Sequence, residues 1–252
     1  MTRTIDLNAD MGESFGPWPM GADAALLDIV TSANIACGFH AGDPDTMAAT
    51  MARAVAGGVG IGAHPGLPDL QGFGRRRMQV SPAEAAHLTA YQLGAAQALA
   101  RAAGGQVRHL KLHGALANMA AEDDALAHAC YAAARAVDPD LILMVIAGTA
   151  QDRAARALGG PVAQEIFADR AYGETGLLLD RREPGAVLHD PGTVADRVLA
   201  MLDAGAIITA RGTHLPTRID TICLHGDTPE ALAMARTLRA RLETAGIALR
   251  RF

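Results

Sequence analysis

The 252-residue sequence is poor in aromatics, at 4%, and holds one tryptophan and three cysteines. It carries no basic excess, since 22 Lys and Arg stand against 27 Asp and Glu for a net charge of −5. Without surplus cations a phosphate backbone has little to pair with, which excludes nucleic acid as an expected partner. Cys37, Cys130 and Cys223 are too few and too scattered for a disulfide framework and form no C-x-x-C pair, so each reads as a small buried apolar residue. The longest apolar run, LILMVIAG from Leu141, is far short of a bilayer span, and the opening MTRTIDLNAD has no apolar stretch of secretory length. The expected location is cytoplasmic, away from membranes. Several catalytic patterns are missing as well: there is no G-x-x-x-x-G-K-[ST] phosphate loop, no G-x-S-x-G elbow and no H-E-x-x-H helix. The glycines at 58, 60 and 62 do not fit a dinucleotide fingerprint.

Half of the residues are apolar and 54 are alanine, a composition suited to helices packed on a small-residue core. Asp43-Pro44, Ser81-Pro82 and Thr228-Pro229 each place an N-cap before a proline, and Ser81 with Glu84 makes a capping box. Gly57, Gly104 and Gly246 stand where those helices should stop, and further helical stretches run about 23–30, 122–137, 149–158 and 194–204. Between them lie seven apolar segments of strand length, 5–10, 33–40, 59–64, 107–113, 141–146, 162–167 and 221–225, with 205–210 a candidate eighth. Alternation of strand and helix at this spacing gives an α/β fold of parallel strands covered by helices, a doubly wound sheet or a closed barrel. No linker or repeat divides the chain, so residues 1–252 are expected to form one domain.

The polar residues fall in telling places. Asp6, Asn8 and Asp10 alternate with Leu7 and Ala9 and so share one face of the first strand, with Glu13 just beyond. Asn34 and His40 belong to the second segment, and His64 ends the third. His109, Lys111 and His113 share a face of the fourth; Glu165, Asp169 and Arg170 fall on or just after the sixth; His225 and Asp227 close the seventh. Any one histidine is more often a satisfied core residue than a ligand. Six strand ends carrying such residues reverse that expectation, because parallel α/β folds gather those ends on one catalytic face. Lys111 is the chain's only lysine beside 21 arginines, and a compact ammonium differs chemically from a guanidinium fork. The loop from His64 to Arg77 is rich in Gly and Pro, and its Arg75, Arg76 and Arg77 read as a carboxylate or phosphate clamp or as a solvated basic turn. Gly38 and Gly42 flank Phe39 and His40, a spacing that suggests close approach of backbone to a ligand.

These blocks resemble the LamB/YcsF family: DLNADMGESFG from Asp6, SANIACGFHAGDP from Ser32, GAHPGLPDLQGFGRR from Gly62, KLHGAL from Lys111, EIFADRAY from Glu165 and ICLHGD from Ile222. Where that family usually reads K-P-H-G-A-L-Y-N, this chain has Leu112 and Ala117 in place of proline and tyrosine. The resemblance spans nearly the whole chain. It implies a distorted seven-stranded TIM-like (β/α) barrel related to carbohydrate deacetylases. The implied activity is that of the A component of 5-oxoprolinase, opening 5-oxoproline to glutamate with ATP hydrolysis and with B and C components as partner subunits. A lactam is an unactivated amide, so phosphorylation of its oxygen and a positioned water would suit the reaction. Under that reading Asp10, His40, His64 and Asp169 activate water or bind metal. Lys111 and His113 meet the developing oxyanion or a phosphate. Arg75 or Arg76 takes the substrate carboxylate, and Asn8, Glu13, Asn34, Glu165, Arg170 and His225 complete the substrate site. A divalent metal held by Asp10, His40, His64 and His225, in a deacetylase-like amide hydrolase acting without ATP, is the competing reading. A third is a subunit that binds the lactam without catalysis.

Overall fold

The computed structural model describes residues 3–224 and 229–252. The expected roles of His225 and Asp227 and the Thr228 cap fall outside the described residues. The parallel strands are β1 (Thr4–Met11), β2 (Ser32–Ala36), β3 (Gly60–His64), β4 (Val107–Lys111), β5 (Ile142–Ile146), β6 (Val162–Phe167) and, near the end of the chain, β9 (Thr221–Leu224). They pair in the order β1-β2-β3-β4-β5-β6-β9, and β9 pairs with both β6 and β1, which closes a seven-stranded barrel. The expected TIM-like architecture is the observed one.

Helices α1 (Asp23–Leu27), α2 (Pro44–Ala56), α3 (Pro82–Ala102), α4 (Gly114–Glu122), α5 (Asp124–Val137), α6 (Ala150–Leu158), α7 (Pro191–Ala204) and α8 (Pro229–Thr244) connect the strands. The Asp43 carboxylate accepts from Thr46 N at 2.8 Å, and Ser81 and Glu84 form the reciprocal capping box. Outward strand residues such as Leu7, Met11 and Ile35 pack with helix residues such as Leu93 and Met51, all fully buried, each contributing about 2 kcal/mol. Ala85, Ala96 and Ala100 are buried along α3, where small side chains let the helix lie close.

Four expectations change. The second strand ends at Ala36 rather than at His40, because the chain folds into a turn in which Gly38 N donates to Ala41 O. The fourth ends at Lys111, and His113 becomes the N-cap of α4, a helix over residues to which the sequence pattern assigned no element. Asp123 separates α4 from α5, its carboxylate accepting from Ala125 N and Leu126 N. The candidate eighth strand is β7 (Ala206–Ile208), which pairs antiparallel with β8 (His214–Pro216) outside the barrel. At the barrel's lower end β10 (Ala248–Leu249) lies beside β1, and the Phe252 ring stands edge-on to His109 at 5.6 Å. No helix among the described residues is long and apolar enough to cross a membrane.

Candidate active site

The barrel interior is polar, and its layers rise toward the C-terminal strand ends. At the bottom Asp6 accepts hydrogen bonds from Thr31 Oγ1 at 2.6 Å, Ser32 Oγ at 2.7 Å and Thr221 Oγ1 at 2.5 Å. Above it Asn8 donates to Thr221 at 2.8 Å and accepts from Asn34 at 2.7 Å, while Asn34 Oδ1 lies 2.8 Å from His109 Nε2. Gly62 makes room for that ring, since a Cβ there would lie 2.0 Å from His109 Nε2. Burial pushes His109 down to about 3, with the Lys111 charge adding to the effect, so the imidazole is neutral.

Lys111 occupies the next layer. Its Nζ lies 2.8 Å from Glu165 Oε1, 3.1 Å from Asp10 Oδ1, 3.2 Å from Asn8 Oδ1 and 3.0 Å from Cys223 Sγ, with the Phe167 ring 5.1 Å away. Burial opposes the ammonium, but Asp10, Cys223 and Glu165 outweigh it and hold its pKa well above the ordinary value. Burial raises Glu165, with Lys111 opposing. A point-like ammonium suits this enclosed set of acceptors; a planar fork does not. Asp10 Oδ1 also accepts from Asn34 at 2.9 Å, and its Oδ2 lies 3.3 Å from His64 Nε2.

Three histidines and a glutamate form the top. His64 Nδ1 lies 2.8 Å from the Lys111 carbonyl and His113 Nε2 lies 2.8 Å from the Phe73 carbonyl. Carbonyls only accept, so these nitrogens carry the protons, and in neutral rings the lone pairs of His64 Nε2 and His113 Nδ1 face each other at 3.0 Å. Two lone pairs at that distance repel unless a proton or a cation lies between them. His40 stacks on His113 at 3.6 Å; both its ring nitrogens are buried without a hydrogen bond, and its Nε2 is 3.4 Å from Glu13 Oε1. Burial drives His40 well below its ordinary pKa and His113 down to about 3. One donor atom each from Glu13, His40, His64 and His113 lies within 4.8 Å of the others. Neutral imidazoles and a carboxylate are the donors that zinc or a similar divalent ion takes, so the set fits a metal.

Asp10, His64, Lys111 and His113 line a cavity of about 710 Å³ that also receives Arg75, Arg76, Arg77, Arg170, Arg181 and Arg182. Arg76 is committed to Asp69 through Nε at 2.9 Å and through its terminal nitrogen, and Arg77 to Glu122 at 2.6 Å. Arg75 lies 4.8 Å from the centre of the Phe73 ring. Arg170 is buried, donates to Leu179 O at 2.5 Å and is pushed down to about 10 by burial and by Arg181. A second cavity, of about 620 Å³, opens at the other end of the barrel beside Arg218, Asp220 and Phe252. It lies apart from the histidine cluster.

The structure thus gathers Asp10, His40, His64, Lys111 and His113, with Glu13 among them and Asn8, Asn34 and Glu165 beneath. Arg75, Arg76 and Arg170 stand at the mouth. Asp169 is buried just past β6 but is not among the residues lining the cavity. Among the described residues the donor cluster holds His40 and His64 of the expected metal set together with Glu13 and His113, with Asp10 beside His64; His225 lies outside the described residues. Gly42 serves a different purpose from the expected ligand approach: a Cβ there would lie 2.6 Å from Gly12 O, so the close approach is to the loop after β1. Phe73 was missed altogether. It is the one non-glycine residue with positive φ among those described, at 54°, and its carbonyl receives His113. Cys223, read as plain core, is also a neighbour of Lys111. Neither role has a signal in the local sequence.

Residues 5–252 match the model of the LamB/YcsF family. The chain is 63% identical over 252 residues to the A component of 5-oxoprolinase from Ruegeria pomeroyi, covering 100% of this chain and 99% of that one. It is 54% identical over 249 residues to the protein of the same name from Azorhizobium caulinodans, covering 99% and 98%. The crystal structure of the lactam utilization protein from Thermus thermophilus superposes with a TM-score of 0.92 at 43% identity, over 99% of this chain and 100% of that one.

Proposed function

Because the chain belongs to the LamB/YcsF family, we propose that it is a cyclic-amide hydrolase, the lactam-opening component of a 5-oxoprolinase that releases glutamate. The relatives named as the A component of 5-oxoprolinase and the lactam utilization protein support this reading. The observation that carries it is Asp10, oriented by Lys111 and Asn34, beside the His40, His64 and His113 cluster at the floor of an arginine-lined cavity. Those groups suit hydrolysis of a small anionic amide.

In this mechanism the substrate carboxylate is taken at the mouth by Arg75 or Arg170, since Arg76 is already held by Asp69. Lys111 and Asn34 donate to one Asp10 oxygen, and the other is directed toward His64. That oxygen accepts the proton of the attacking water as the new C–O bond forms and passes it to the lactam nitrogen as the C–N bond breaks. Lys111 positions Asp10 and lends positive potential below the developing oxyanion. Glu13, His40, His64 and His113 would hold a divalent ion, which when bound supplies Lewis-acid polarisation and a more acidic water. ATP is consumed in concert with the B and C components, a division supported by the missing phosphate-loop pattern.

A second reading, a metal-dependent amide hydrolase needing no ATP, draws on the same glutamate and histidine donors. Glutamate release from 5-oxoproline, assayed with and without ATP, the B and C components, and a chelator, separates the two. Release only with ATP and both partners supports the first reading. Chelator-sensitive release by the chain alone establishes the second. No release under any condition sinks both.

A further inference from the structure

Six arginines line the large cavity, and Arg170 alone among them is buried, at 6% exposure. Arg76, Arg77 and Arg182 lie in solvent and are already paired with Asp69, Glu122 and Asp180. Arg170 has no carboxylate within ion-pair distance among the described residues. One of its terminal nitrogens donates to Leu179 O at 2.5 Å, and its Nε is buried without a hydrogen bond. Burying a charge is costly unless an opposite charge answers it. Burial and the Arg181 charge push Arg170 down to about 10 against the pull of Asp169, which leaves the guanidinium protonated near neutral pH. The segment around it is well bonded. Leu188 N donates to Asp169 O at 2.8 Å, Ala171 N to Ala186 O at 3.0 Å and Leu179 N to Ala171 O at 3.0 Å, while Arg170 bridges Val187 and Tyr172 bridges Leu178. Those pairings set Leu177, Leu178 and Leu179 in the cavity wall, in the same lining as Phe167.

From this we infer that Arg170, and not Arg75, is the seat of the substrate carboxylate, and that it makes the site select small cyclic amides bearing a carboxylate over uncharged ones. The inference rests on the reading of the chain as a cyclic-amide hydrolase and narrows it to one residue. A buried guanidinium without a protein counterion binds an anion that comes from the cavity, and the low local dielectric strengthens that pairing. Arg75 offers less. It is exposed to solvent, where a single ion pair is screened, and it lies over the Phe73 ring. The three leucines and Phe167 suit the methylene edge of a small ring, and Asp10, His64 and Lys111 line the same cavity for its amide. A site that buries a cation for one substrate group rejects the analogue lacking that group, because the cation is then left unanswered.

The test is calorimetric titration of the full chain with 5-oxoproline and with its uncharged parent 2-pyrrolidinone, for wild type, Arg170→Gln, Arg170→Lys and Arg75→Gln. Turnover of 5-oxoproline with ATP and the B and C components is measured beside it. Wild type should bind 5-oxoproline the more tightly. Arg170→Gln should weaken 5-oxoproline by about thirtyfold, the scale of a charge-assisted hydrogen-bonded pair, and leave 2-pyrrolidinone unchanged. Arg170→Lys, which keeps the charge without the fork, should recover part of the loss. Arg75→Gln should lose less than about threefold, as an exposed ion pair does. Equal affinity of wild type for the two probes overturns the inference, as does a larger loss in Arg75→Gln than in Arg170→Gln. Loss of both probes in Arg170→Gln also overturns it, since the residue would then hold the wall rather than the ligand. If Arg170 governs binding as expected but wild type releases no glutamate with ATP and both partners, the hydrolase reading falls and the carboxylate seat stands. If wild type turns over and Arg170→Gln keeps its KM, the seat falls and the hydrolase reading stands.

Discussion

Asp6 and Asp10 lie on the same face of the same strand, four residues apart, and do opposite work. Asp6 is enclosed by three hydroxyl donors from β9 and from the start of β2, and burial raises its pKa against those bonds. Asp10 is fixed on one oxygen by an amide and an ammonium while the other is turned toward His64. The lower barrel satisfies its polar groups internally, as a scaffold must. The upper barrel brings His64 Nε2 and His113 Nδ1 within 3.0 Å of each other, the second nitrogen of each ring lying against a backbone carbonyl. Alternation along a strand therefore identifies what faces inward; the number of donors around each group decides which one reacts.

The sharpest way to break this contrast is to alter the upper barrel. Asp10→Asn and His64→Ala should each lower turnover of the reconstituted enzyme by about a thousandfold, within the range of positioned acid–base groups, with little change in melting temperature. A melting point that falls in step with activity would make them structural. The reciprocal change is Asp6→Ala, which leaves Thr31, Ser32 and Thr221 hydroxyls short of an acceptor. It should cost about 3 kcal/mol of stability by urea unfolding while turnover per folded molecule stays near wild type.

Lys111→Arg tests the boundary between the two regions. Turnover should fall by about a hundredfold, the scale of removing one positioned donor, with circular dichroism unchanged. Near-normal turnover would show that any cation serves there. The smallest effect concerns His109, whose pKa is about 3 when folded against 6.5 for an ordinary imidazole. As pH falls from about 6.5 toward 3 the unfolded chain binds a proton that the folded one refuses, so stability is lost on acidification. Asp6 and Glu165, raised by burial, act in the opposite sense, so the informative quantity is the difference from His109→Gln. That variant should lose stability more gently as pH falls, by up to about 1.4 kcal/mol per pH unit, measured by urea midpoints. An unchanged slope would show that His109 is not a neutral structural group.

The barrel was legible because its signals are local. Asp43, Ser81 and their prolines announce helix starts, and the period of two in residues 5–10 assigns a face to each side chain. His40, His64 and Lys111 were recognisable as candidate site residues from their places near strand ends. What escaped depends on contacts far apart in sequence or on loop torsions. Cys223 reaches Lys111 across 112 positions, and nothing near either residue records it. Glu13 and His113 enter the donor cluster because the loop after β1 folds back over the barrel and His113 caps α4, neither of which follows from spacing. Of three consecutive arginines, the commitment of Arg76 to Asp69 is set by the conformation of their shared loop.

That same loop supplies backbone rather than side chains to the chemistry. The Phe73 carbonyl selects which nitrogen of His113 carries a hydrogen, and the Pro65 carbonyl, accepting from His113 N at 2.9 Å, holds the residue in place. Gly74, at φ +62°, passes so close to His40 that a Cβ would stand 2.6 Å from its Cβ. Anyone grafting this centre onto another scaffold would therefore gain little by copying its three histidines. The transplantable unit is the turn from residue 65 to 74, and a graft lacking it would carry the right residues in the wrong tautomers.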